Sequence, residues 1–184
     1  SQTKIDALHY RYEIELNDSN DTINGKATVT LRLLEPGNAV HIDLVPVNTN
    51  GKGMNSGFVE GNAVSGYSRS GKKLLISLNK TYPAGDTIRF TVGYSGIPAD
   101  GLIISKNKYG KRTFFSDNWP NRAHHWLPCV DDPADKAPVD FIITAPAHYQ
   151  VVSNGIRVEE SNLPGNKKLS HWKEDVPLPT KVMV

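Results

Sequence analysis

A single cysteine, Cys129, occurs in the 184 residues, which excludes an internal disulfide framework and any multi-cysteine metal centre. No apolar run approaches the roughly 18 residues that a membrane-spanning helix needs. No block of like charges is present, and 21 basic against 19 acidic side chains leave a formal net charge of +2. So small a charge speaks against a nucleic-acid stripe or a polybasic membrane anchor. Nothing repeats at a fixed period, which excludes a solenoid or propeller array. Apolar residues spaced i, i+3, i+4, i+7 are missing too, and with them any sign of an amphipathic helix. The start, Ser1-Gln2-Thr3-Lys4, lacks both an initiating Met and a basic-then-apolar leader. It reads as a processed or cut end, compatible with export. Lys181-Val182-Met183-Val184 is an apolar, strand-like run with no polar tail. Domains usually end in exposed polar linkers, so residues 1–184 read as one domain cut, at or near its end, from something longer.

What the sequence has is a hydrophobic period of two. Tyr10, Tyr12, Ile14 and Leu16 alternate with Arg11, Glu13 and Glu15. Ala27, Val29, Leu31 and Leu33 do the same, as do Ile88, Phe90, Val92 and Tyr94. Such alternation sets one face on a core and the other in water, as in half-buried antiparallel strands. Shorter strand candidates are 40–44, 74–78, 139–144, 149–152, 156–159 and 169–173. Turn chemistry separates them at Asn24-Gly25, Pro36-Gly37, Ser70-Gly71, Pro83-Ala84-Gly85, Asn154-Gly155 and Pro164-Gly165. The stretch from Asn48 to Gly57, rich in Asn, Gly and Ser, predicts an exposed loop. Many short strands with regular turn signals give an all-β sandwich or barrel.

From Thr113 to Lys136 the alternation fails, yet two of the three tryptophans, two of the six histidines and the lone cysteine lie there. A loop so dense in aromatic and ionisable groups packs on something or binds something. His124, His125, Cys129 and Asp131-Asp132 offer metal-ligating types, but adjacent histidines on an extended chain point to opposite sides. Cys129 follows Leu127-Pro128 with no helix start behind it to activate a thiolate, and reads as a small buried hydrophobe. Trp126 reads as a core anchor. Asp131-Asp132-Pro133 reads as a turn start more readily than as a catalytic acid pair.

Trp126-Leu127-Pro128-Cys129-Val130-Asp131-Asp132-Pro133, followed by Lys136-Ala137, resembles the Pro-Cys signature in the N-terminal β domain of the aminopeptidase N family of zinc metallopeptidases. Val152-Ser153-Asn154-Gly155, Tyr94-Ser95-Gly96-Ile97-Pro98, the strand from His9 to Leu16 and the segment from Gly25 to Val29 are similar to further elements of that domain, in the same order. The resemblance implies a saddle-shaped antiparallel β-sandwich that packs on a separate catalytic domain. That catalytic domain carries a Gly-x-Met-x-Asn motif and a His-Glu-x-x-His zinc helix, and neither motif occurs here. The chain by itself is then expected to hold no cofactor and no catalytic residue, the zinc belonging to the parent enzyme. Its expected partners are that catalytic domain and the amino terminus of a peptide substrate.

In relatives a Gln or Glu in the loop before the signature meets the substrate's α-amino group. Here that register falls on Trp119, which cannot accept a hydrogen bond, whereas its neighbours Asp117 and Asn118 can. Either the loop is shifted by a residue or two, which makes Asp117 first and Asn118 second the implied substrate-binding residues, with Trp119 as an apolar wall or a plug at the domain interface, or the catalytic domain supplies all the amine recognition. Loop capping is the competing reading of Asp117 and Asn118, since both residue types are habitual in turns. The family's Arg near the signature is matched in register only by His124 or His125, with Arg122 slightly upstream. The alternative to an aminopeptidase domain is a non-catalytic β-sandwich that binds protein or glycan through its loops.

Overall fold

The computed structural model describes residues 3–132 and 134–184. The alternating segments become the long strands of one sheet. These are β1 (Ile5–Glu15), β2 (Ile23–Leu33), β7 (Thr87–Ile97), β10 (Lys136–Pro146) and β12 (Lys167–Pro179). With β4 (Gly53–Glu60) and β11 (Ile156–Leu163) they form a seven-stranded sheet of order β11-β12-β10-β1-β2-β7-β4. A second sheet, β3-β6-β5, joins β3 (Gly37–Asp43), β6 (Lys73–Tyr82) and β5 (Val64–Ser70). The hairpin of β8 (Leu102–Lys106) and β9 (Arg112–Ser116) stands as a third, two-stranded unit. Among the described residues the helical elements are two 3-10 turns, Ala123–His125 and Thr180–Val182.

The period-two pattern works as physics requires. Tyr10, Tyr12 and Ile14 of β1, Val29 and Leu31 of β2, and Ile88, Phe90 and Val92 of β7 are buried, as are Val40 and Ile42 of β3 and Leu74 and Ile76 of β6. All belong to one core shared by the two larger sheets. Each such side chain contributes about 1.5–3 kcal/mol when fully buried. The pairing is antiparallel except between β1 and β10, which run parallel with Tyr10 beside Val139 and Tyr12 beside Phe141. That parallel pair seats β10, and the long loop before it, directly against the first strand.

Five local expectations change. The 48–57 stretch is a loop only at its start: β4 begins at Gly53, because Met54 is fully buried and pairs with β7 opposite Gly96. Asn24-Gly25 is no turn but lies inside β2, where the Tyr94 ring leaves no room for a Cβ at Gly25. Residues 149–152 form no strand, and neither do 181–184, which begin within the 3-10 turn Thr180–Val182. Strand β9 lies inside the segment where alternation was expected to fail, paired with β8. Its Phe114 packs against the core while Phe115 points outward.

Candidate functional site

The site is built on the chain between β9 and β10. Its Pro-Cys segment is pinned from three directions. The Tyr12 hydroxyl donates to the Pro128 carbonyl at 2.8 Å, and the Val130 N–H donates to the Tyr10 hydroxyl at 2.9 Å. Cys129 exchanges backbone hydrogen bonds with Asp43 at the end of β3, at 2.7 and 3.2 Å. Rings stack from Tyr10 to Tyr12 to Phe141 to Trp126, with centroid separations of 5.6, 5.4 and 6.3 Å. Trp126 is a core anchor, 4% exposed. Burial, reinforced by Asp131 and Asp43, pushes the Cys129 thiol well above its usual range. It is a buried hydrophobe and not a nucleophile.

His124 and His125 sit on a 3-10 turn with ring centroids 4.9 Å apart, not on opposite sides of an extended chain. The turn's tight winding overrides the extended geometry. The His124 Nδ1 is bonded to Asp131, which also accepts from the His124 N–H at 3.1 Å and from the Thr180 hydroxyl at 2.5 Å. Burial pushes the Asp131 carboxyl up, but the bonds from His124 and Thr180 outweigh it and hold the pKa below the usual range. His125 is lowered by burial and by its neighbour His124. The turn start expected at Asp131-Asp132-Pro133 divides. Asp132 caps a turn by accepting from the Ala134 N–H at 2.9 Å, and Pro133 lies outside the described residues. Among the described residues no group of three or more His, Cys, Asp or Glu is placed to hold a metal ion. Nor is any helix there long and apolar enough to cross a membrane.

Asp117, Asn118 and Trp119 leave β9 together but face different surroundings. Asp117 is exposed over nearly half its side chain; it accepts from the Trp119 N–H at 3.2 Å and from Arg122 Nη1 at 3.4 Å. Arg122 Nε also lies 3.6 Å from Asp100, a carboxylate that sequence reasoning missed. The signal for it was its place just after the Tyr94-to-Pro98 element. Asn118 is 1% exposed. Its Oδ1 accepts from Trp126 Nε1 at 2.8 Å, and its Nδ2 donates to the carbonyls of Met183 and Thr180 at 2.5 and 3.4 Å. Trp119 is 57% exposed, with Lys181 Nζ 4.4 Å from its ring centroid. Nearby in the fold Ile103 and Phe115, cross-strand partners on the hairpin, also turn outward. Behind the hairpin lies a cavity of about 160 Å³, walled by Ile14, Phe114, Trp126 and Phe141, with exposed Val152 at its margin.

The family defined as the peptidase M1 N-terminal domain matches residues 6–182. The chain belongs to that family. Solved structures agree with the assignment. An M1 zinc metallopeptidase from Deinococcus radiodurans superposes on this M1 N-terminal domain with a TM-score of 0.80 at 24% identity, over 98% of this chain and 41% of that one. A mutant M1 zinc metallopeptidase from the same organism, bound to a Tyr-Ser-Ala substrate, gives 0.80 at 22% identity, over 96% and 40%. A two-domain M1 zinc metallopeptidase mutant bound to L-tryptophan gives 0.81 at 24% identity, over 98% and 42%. At such identities the likeness is one of fold. The chain spans about two-fifths of the length of these structures. No curated protein matches it.

Proposed function

We propose that the chain is the non-catalytic N-terminal domain of a zinc aminopeptidase, and that its Asp117–Trp119 loop faces the free amino terminus of a peptide substrate. The observation that carries this reading is an open carboxylate beside an exposed indole on one loop, Asp117 and Trp119. An ammonium entering a partly dehydrated pocket loses hydration and needs an anionic acceptor at about 2.7–2.9 Å. A mid-chain amide brings no charge, so the same contact tells a chain end from a chain interior. Two carboxylates, Asp100 and Asp117, flank the guanidinium of Arg122, so Arg122 alone does not neutralise both. Asn118 has both its oxygen and its nitrogen committed inside the fold, so Asp117 carries the acceptor role. Trp119 supplies an apolar wall.

The metal and the general base would come from a catalytic domain. Among the described residues the metal-ligating types of the Pro-Cys segment are otherwise engaged: His124 is tied to Asp131 and Cys129 is sealed in the core. The outward-facing Ile103, Phe115 and Val152 suit burial against that second domain. Two solved relatives are described with a Tyr-Ser-Ala substrate and with L-tryptophan, ligand classes that suit the proposed chemistry. The test is Asp117→Ala in the whole peptidase. Loss of a hydrogen bond to a charged group should raise KM for an unblocked dipeptide about 10- to 100-fold, with kcat changed much less. Unchanged kinetic constants would remove Asp117 from the site.

A further inference from the structure

We infer that Asn118, Asp131 and Asn154 are positioning residues that clamp the Thr180–Val184 segment onto the Asp117–Trp119 loop and so set where Asp117 and Trp119 stand. The kinetic consequence rests on the amine-facing role of Asp117; the clamp itself does not.

Three stretches distant in sequence converge here. Asn118 donates to the carbonyls of Met183 and Thr180 while Trp126 holds its oxygen. Asp131, its side chain 3% exposed, accepts from the Thr180 hydroxyl at 2.5 Å. From the turn before β11, Asn154 accepts from the Val184 N–H at 2.6 Å and donates to the Val182 carbonyl at 3.1 Å. The Ser153 hydroxyl donates to the Val184 carbonyl. Met183 is fully buried and Thr180 nearly so. A five-residue segment with four of its residues held by six side-chain hydrogen bonds from two loops cannot move independently of them. Both sequence elements that resembled family motifs in this half of the chain, the Pro-Cys signature and the Ser153-Asn154-Gly155 turn, thus close on one short segment.

Asn118 lies between Asp117 and Trp119 in the chain. Anchoring its carboxamide fixes the backbone on both sides, and each neighbour presents its side chain from a set position. A displacement of about 1 Å in such a positioned group can cost on the order of a hundredfold in rate. Lys181, stacked on the Trp119 ring, carries the same coupling from the segment to the indole.

Hydrogen exchange on the chain reads the clamp directly. Asn118→Ala should speed exchange at the Met183 and Val184 amides roughly tenfold or more, while the Val92 amide inside β7 stays at its original rate. Thr180→Val keeps volume and branching but loses the bond to Asp131, and should do the same should Asn118→Ala fold poorly. In the whole peptidase Thr180→Val should raise KM for an unblocked dipeptide roughly tenfold with kcat within about twofold. Asp117→Ala should raise KM without altering exchange. Unchanged exchange at Met183 and Val184 in both clamp variants overturns the inference. So does faster exchange at Met183 and Val92 alike, because the loss is then global. Faster local exchange with KM unmoved by Asp117→Ala upholds the clamp and removes the amine-facing role.

Discussion

Three tyrosines reach the core of this domain, and they differ in one atom's surroundings. The hydroxyls of Tyr10 and Tyr12 are bonded to the Pro-Cys segment, whereas the Tyr94 hydroxyl is buried without a partner among the described residues. A buried polar group left unpaired costs more than a hydrogen bond normally gains. Tyr94→Phe should therefore leave stability unchanged or raise it by about 1 kcal/mol, and Tyr12→Phe should lower it by about 1–2 kcal/mol by orphaning the Pro128 carbonyl. Urea unfolding of the two variants checks the pair; equal destabilisation by both would contradict it. The same accounting explains Asn118. Its residue type reads as a turn former, but what decides its role is that its oxygen is answered by Trp126 and its nitrogen by carbonyls at the other end of the chain.

At the scale of elements, carboxylates tie strands together and make stability depend on pH in opposite senses. Asp140 of β10 accepts from His9 of β1 at 2.7 Å and from His171 of β12 at 2.6 Å. Burial pushes its pKa up, and the bonds from His171 and His9 more than offset that. A carboxyl held low contributes stability that is present above its unfolded pKa and is lost as pH falls through its folded value. Asp135, just before β10, does the reverse. Burial and the charges of Asp6 and Asp132 push it to about 6, against the pull of the Ala7 N–H. Its neutral form is the one the fold prefers, so its contribution is full below about 3.8 and is lost as pH rises through about 6. Asp135→Asn should flatten the fall in stability between pH 4 and pH 6.5, measured by urea midpoints. Parallel profiles for the variant and the parent chain would contradict this.

The strands themselves were unevenly legible. β1, β2 and β7 announce themselves because each has one face in the core, and every second residue must be apolar. β4 hides because only Gly53, Met54 and Val59 of its eight residues are buried, and the exposed ones, Asn55, Gly57, Phe58 and Glu60, mix polar and apolar types without a period. In β8 and β9 both faces carry apolar residues, Phe114 inward and Phe115 outward, so no period shows. Within the site, Trp126 was legible as an anchor from its residue type and setting. The burial of Asn118 was not, since its partners Thr180 and Met183 lie some sixty residues away.

For the whole molecule, membership of the peptidase M1 N-terminal domain family and the fold shared with two-domain zinc metallopeptidases frame a division of labour. The domain has a two-sheet core and a pinned Pro-Cys loop; the amine-facing role of its Asp117 carboxylate, and hydrolysis on a separate catalytic domain, are what we propose. The measurement that bears most directly on this account is turnover of an unblocked aminoacyl reporter by the purified 184-residue chain in the presence of added zinc. The account predicts no cleavage above the buffer rate. Sustained multiple turnover by this chain would place a hydrolytic centre within it and contradict the account.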